Sequence, residues 1–228
     1  MNLTASRLTA AAGLCSAAAG AIFIGVQIKH PPADVAHIVT TDVLIRESAK
    51  ALMCVLALIG FTGMVLRHRH RLGVLGLAGF SLLTVGYLAL FAVQCIVGYV
   101  LPTVAQFNPA YVQDVLDAAV GGSPSGDIGH MQELLLTAGI GYPFGGLLFG
   151  IAMFRAGVPG RWAALLLAYG TTSALALAVL PESFNRPFAV PTGVALIGLG
   201  VSLWRSERRA AVTTGTSATT WIAEPVAR

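Results

Sequence analysis

Six apolar stretches dominate this chain, each long enough to cross a hydrocarbon layer about 30 Å thick. They lie near 6–28, 43–66, 72–101, 131–154, 161–181 and 187–204. The last spans roughly 27 Å at about 1.5 Å per residue, near the lower limit for a crossing. The third is long enough to tilt or to project beyond the layer. Only 11% of the 228 residues are charged, 56% are hydrophobic, and mean hydropathy is +0.77. A soluble domain carries roughly 25% charged residues, and a water-soluble fold cannot hide this much apolar surface. Soluble enzymes, disulfide scaffolds and disordered proteins are therefore excluded. The fold class expected is all-α: a polytopic membrane bundle of six helices over residues 1–204.

The first stretch resembles a signal peptide only in part. Ser16 to Ala21 is rich in small residues, but the run continues through Ile22, Phe23, Ile24 and Val26 before any charge. Leu14 precedes Cys15 where a lipoprotein signal requires a small residue, so a retained helix is expected. Cys15, Cys54 and Cys95 sit in three different apolar stretches with no Cys-x-x-Cys spacing, and read as packed thiols.

Charge sets the orientation. One set of helix ends carries ten bases, among them Arg7, Arg67, Arg69, Arg71, Arg155, Arg161 and Arg205, against Glu207 and Glu224. The other carries Lys29, Arg46, Lys50 and Arg186 against eight acids, including Asp34, Asp42, Glu47, Asp127, Glu133 and Glu182. The balance is +8 against −4, which recovers the chain's +4. Basic loops stay on the cytoplasmic side, so a protein of the inner (plasma) membrane with both termini inside is expected. The same bases flank apolar runs instead of forming a nucleic-acid surface, and no nucleic-acid partner is expected. They are suited to anionic lipid headgroups at the inner face.

Between the spans, Arg67 to Arg71 reads as a short basic turn, and Arg155 to Arg161 as a tight Gly/Pro reversal. The long segment 102–130 faces outward. Asn108-Pro109 is a helix start, and Tyr111, Val112, Val115, Leu116 and Ala119 form an apolar stripe beyond it, which predicts an amphipathic helix near 109–120. Within the spans, Gly141-x-x-x-Gly145, Gly146-x-x-x-Gly150 and the Gly73, Gly76, Gly79 series allow close helix packing, within the chain or in a homo-oligomer or membrane-protein complex. Residues 205–228, rich in Ser, Thr and Ala, predict a disordered cytoplasmic tail.

No Asp, Glu, Lys or Arg lies near the middle of any span, which argues against an ion-coupled pump. Ionisable groups collect at the outer ends instead: Arg46, Glu47 and Lys50; Asp127, His130 and Glu133; Glu182 and Arg186; and His30 and His37 in the first loop. Lys50 lies some 10 Å inside its helix and needs a partner or an interfacial reach. If these ends converge, Arg46, Lys50, His130, Glu133, Glu182 and Arg186 form a ligand vestibule. Such a vestibule requires Lys50, Glu133 and at least one of His130, Glu182 or Arg186 to line one cavity. His30, His37, Asp127, His130 and Glu133 are the candidate metal ligands. Their structural roles are equally concrete: Asp127 as a helix cap, and Asp42–Arg46 and Glu47–Lys50 as helix-surface pairs.

No hydrolase, nucleotide-binding or haem-attachment motif is present, so no cofactor is expected. The leading expectation is a non-catalytic accessory, sensory or scaffold component. An uncoupled permease or lipophilic-ligand binder with an outer vestibule is the alternative, and a membrane enzyme using the outer His/Asp/Glu groups is the third.

Overall fold

A computed structural model describes the backbone of residues 5–176 and 185–220, and side chains over 5–175 and 189–210. Among the described residues the fold is helical, with no strand. Its elements are α1 (Ala5–Gly25), α2 (Val35–Ile38), α3 (Thr41–Cys95), α4 (Leu101–Val104), α5 (Pro109–Ala119), α6 (Met131–Arg155), α7 (Arg161–Ala176) and α8 (Asn185–Thr220). Four described stretches are long and apolar enough to cross a membrane: Ala5–Gly25, Thr41–Val104, Met131–Arg155 and Ala189–Ala210.

The 64-residue stretch is not one rod. Gly73 has φ +60° and ψ −167°, a backbone state that favours glycine, and the helix turns back on itself there. Residues at similar distances on either side of Gly73 meet: the rings of Phe61 and Tyr87 are 5.5 Å apart, and Ser48 Oγ lies 2.7 Å from Tyr99 OH. The reversal therefore occupies a single residue. The Arg67–Arg71 segment, expected as the turn, stays helical, because Arg and His fit a helix well and Gly73 alone can make the reversal. At the far end of the second arm, a π-helical turn at Ile96–Val100 precedes Pro102. Proline cannot donate to the fourth carbonyl back and its ring crowds that carbonyl, so the widened turn relieves both.

The helices pack in a closed order: α1, first arm of α3, second arm, α6, α7, α8, and back to α1. Small residues make the seams. Gly60 and Gly63 of α3 face Ser16 and Ala12 of α1; Gly79 and Gly86 face Phe149, Gly141 and Tyr142 of α6. Gly146 and Gly150 receive Thr171 and Ala168 of α7, and Gly193 and Gly200 of α8 meet Gly20 and Gly13 of α1. Of the glycines considered for oligomerisation, Gly76, Gly79, Gly141, Gly145, Gly146 and Gly150 pack against the chain's own helices, whereas Gly73 has open space beside it. Inside the ring, Phe61, Tyr87, Phe149, Leu167, Leu196 and Leu199 form the main core. Large apolar side chains also point outward around it, including Leu14, Leu52, Leu77, Leu88 and Leu136, as a lipid-facing surface would.

Polar groups inside the seams are mostly satisfied locally. Ser16 Oγ donates to the Leu196 carbonyl across the α1–α8 seam at 2.9 Å. Thr171, Thr172 and Ser173 return their hydroxyls to carbonyls of their own helix rather than to a neighbour. Helix α8 continues to Thr220, beyond the 205 boundary from which the composition predicts disorder. Good helix formers at Arg205, Glu207, Arg208 and Ala210 sustain it, and buried Glu207 makes an ion pair with Arg67.

A Cβ at Gly86 would overlap the backbone of Gly141 and Tyr142, whereas one at Gly139 meets no atom within 4 Å. Gly86→Ala should destabilise the protein by about 1–3 kcal/mol through overpacking. Gly139→Ala should leave it unchanged or raise stability by up to ~1 kcal/mol. Thermal unfolding in detergent checks both.

Candidate functional site

A second apolar core sits at the end of the bundle where α2, α4 and α5 lie. Ile38, Val93, Val97, Leu101, Val112, Val115, Leu116 and Ile128 pack there, forming a cap distinct from the core within the ring. Helix α5 follows from its local sequence. The Asn108 side chain accepts from the Tyr111 N–H at 3.1 Å, Pro109 opens the helix, and Val112 and Val115 are fully buried beneath it.

Hydrogen bonds tie the cap together. Gln113 on α5 accepts from the Val35 N–H that begins α2, at 3.3 Å. Asp34 caps α2, accepting from the His37 N–H at 2.9 Å and from His37 Nδ1 at 2.7 Å. Asp114 gathers the following loop, accepting from the Ser125 N–H and hydroxyl at 2.8 and 2.7 Å and from the Gly126 N–H at 3.1 Å. The hydrogen bonds from His37 hold the Asp34 carboxyl below its ordinary range, and those from Ser125, side chain before backbone, do the same for Asp114.

Between cap and bundle lies a chamber of about 560 Å³, within the range of small-molecule sites. Its mouth is formed by His30, Pro32, Asp34 and the Ala118–Gly121 segment, and its walls by Phe23, Val43, Met53, Leu90, Val97, Leu135 and Ala138. Its deep end is formed by Cys54, Tyr87 and Tyr142. Most of the lining is apolar, so the polar groups within it stand out. Glu47 is only 3% exposed and forms a direct ion pair with Lys50 through Oε1. Its other oxygen, Oε2, has no hydrogen-bond partner among the described residues, and neither has the hydroxyl of fully buried Tyr87. Buried polar atoms without partners are uncommon and costly. Gln94 also faces the chamber, while Tyr142 donates from its hydroxyl to Thr192 Oγ1 at 3.2 Å.

The position of Glu47 is enforced by glycine. Gly98, in the π-helical turn, lies so close that a Cβ there would stand 2.9 Å from the Glu47 Cβ. The turn that accommodates Pro102 therefore also brings bare backbone against the acid.

Only part of the expected vestibule assembles. Lys50 lines the chamber. Arg46 instead closes the end of α1, donating to the Val26 and Ile28 carbonyls at 2.9 and 3.0 Å and pairing with Asp42. His130 and Glu133 lie on the surface, fully exposed and 69% exposed, where they pair with each other at 3.4 Å. Arg186 lies in the first turn of α8; its side chain and the whole of Glu182 lie outside the described residues. The vestibule as composed from sequence, with Glu133 beside Lys50, is therefore not formed.

The metal grouping is corrected too. Among the described residues no three His, Cys, Asp or Glu side chains converge on a common point. His30 stands at the chamber mouth, where its Nδ1 donates to the Pro31 carbonyl, and His37 is engaged by Asp34. Asp127 accepts from the Gly129 N–H in a local turn. Asp127, His130 and Glu133 share the start of α6, while His30 and His37 are each engaged elsewhere, so the five do not form one group.

Glu47, Gln94 and Tyr87 are the residues that sequence reasoning did not assign to the site. Glu47 could have been found from its three-residue spacing to Lys50 within an apolar run. Gln94 and Tyr87 are isolated polar residues in apolar helices, a weaker signal. No protein-family model, curated protein or solved structure matches this chain.

A carboxylate whose folded pKa lies below its unfolded value stabilises the fold in full above the unfolded value, and loses that contribution as pH falls through the folded one. Protection of the Ser125 and Gly126 amides from hydrogen exchange, corrected for intrinsic rates, should hold down to the ordinary Asp value of about 3.8 and decay below it. Asp114→Ala should lose that protection already at neutral pH.

Proposed function

We infer that the protein binds a lipophilic ligand in the chamber between cap and bundle, and that no chemistry is performed on it. The observation that carries this reading is the mostly apolar 560 Å³ cavity holding the partnerless Glu47 Oε2 and Tyr87 hydroxyl. A scaffold has no use for such a space, whose buried polar atoms cost stability, whereas a ligand that donates to Glu47 Oε2 recovers part of that cost on binding. This reading replaces the vestibule expected from sequence, which required Glu133 beside Lys50, with a different cavity, and on that cavity ligand binding is preferred to an accessory or scaffold role. With no coupling charge near the middle of the spans, passage of a ligand through the chamber would be uncoupled.

The proposed topology is six crossings with both termini cytoplasmic in an inner membrane. Three observations support it: the reversal at Gly73 divides the 64-residue stretch into two arms, α7 packs between α6 and α8, and the charge balance is +8 against −4. The cap and chamber mouth then face outward. In a background lacking the native cysteines, Ser123→Cys should react with a membrane-impermeant maleimide in intact cells, and His70→Cys only after lysis. The reverse pattern would invert the proteins's proposed orientation.

The chamber itself is tested with a headless photoprobe, a diazirine-bearing C12 alkane, on the full chain in phosphatidylcholine nanodiscs. Labelling should concentrate on Met53 and Leu90 in the chamber and fall at least several-fold in Ala138→Trp, which fills it. Labelling spread evenly over outward residues such as Leu77 and Val85, and unchanged by Ala138→Trp, would sink the ligand-binding reading.

A further inference from the structure

We propose that the chamber selects a neutral lipophile whose head both donates and accepts a hydrogen bond, a hydroxyl being the simplest, and rejects charged amphiphiles of the same length. This deepens the ligand-binding reading above and rests on it.

The argument starts from charge. Glu47 and Lys50 neutralise each other through Glu47 Oε1, so the pair adds no net charge to the chamber; Asp34, the other carboxylate of the lining, lies at the partly exposed mouth and is engaged by His37. A ligand bringing its own charge would bury that charge beside a pair already matched, in a space walled by Met53, Leu90 and Val97. An uncompensated charge in such surroundings is expensive. A head without polar atoms fails differently. It leaves Glu47 Oε2, on a residue 97% buried, without a donor.

Two of the polar groups lie at one level, about a turn below the third. Lys50 follows Glu47 by three residues, about 4.5 Å along the helix. Gln94 precedes Gly98 by four residues, about 6 Å, and Gly98 packs against Glu47. Lys50 and Gln94 therefore both stand about one turn deeper than Glu47, on opposite arms of α3. A hydroxyl seated there donates its proton to Glu47 Oε2 and accepts from the Lys50 ammonium or the Gln94 amide. Below it the chamber continues past Met53 and Cys54 to Tyr87, which gives the ligand an apolar body lying along the helix axis.

The test is competition against the headless photoprobe by 1-dodecanol, dodecylamine, dodecanoate and dodecane, each expressed as its mole fraction in the nanodisc. For the wild type, dodecanol should displace the probe from Met53 at about tenfold lower fraction than the other three. Glu47→Gln leaves the Lys50 charge unmatched, and dodecanoate should become the strongest competitor. Lys50→Met leaves the Glu47 charge unmatched, and dodecylamine should take that place. Where a single variant does not fold, the neutral double variant Glu47→Gln/Lys50→Met serves, and should reduce the advantage of dodecanol over dodecane severalfold. An unchanged order in the charge variants, or equal competition by dodecanol and dodecane in the wild type, overturns the head-group inference while the chamber reading stands. Absence of specific probe labelling removes the chamber reading itself.

Discussion

Close backbone contact at glycine is the constraint on which the rest of this structure depends. Helices in lipid gain little from hiding apolar surface from one another, so they associate through packing distance and interhelical hydrogen bonds. Here the α3–α6 seam has Gly86 against Gly141, and the α1–α8 seam has Gly13 against Gly200 and Gly20 against Gly193. These contacts leave no room for a side chain. They draw the rods tight at the Arg67 end and through the centre, where Phe61 stacks edge-on to both Tyr87 and Phe149.

The same ring is open at its other end, and the cap's apolar core closes it from above instead of filling it. Asp34, Gln113 and Asp114 hold the cap segments to one another through backbone amides. The chamber is thus the gap between two cores that are each well packed. Gly98 places Glu47 at its wall, and Glu47 in turn fixes Lys50, so a backbone feature demanded by Pro102 ends by positioning a buried charge pair.

Much of this was legible in the sequence, and the failures have physical reasons. Asn108-Pro109 and the stripe ending at Ala119 located a helix near 109–120, and α5 occupies Pro109–Ala119, because capping and amphipathic spacing are local. The reversal was misplaced by a few residues because a run of arginines and histidines looks like a loop, while a single glycine with positive φ is invisible until the backbone is known. The charge cluster expected at the helix ends failed for a different reason. Asp127, His130 and Glu133 share a helix start, but nothing local says which way that start faces, and it faces solvent.

By itself, the sequence determined the helical class of this protein, the presence of helices long and apolar enough to cross a membrane, and the confinement of its few charges to the ends of apolar runs. Apolar length, glycine content and charge placement follow from composition read in order, and each acts over one helix or one loop. Tertiary structure alone decided which polar groups meet. Glu47 reads from sequence as half of an ordinary helix-surface pair, and becomes a buried acid with a bare oxygen only because the second arm of α3 folds back and lays Gly98 against it. Burial depends on what packs opposite, and that is set by contacts between residues about fifty positions apart in the chain.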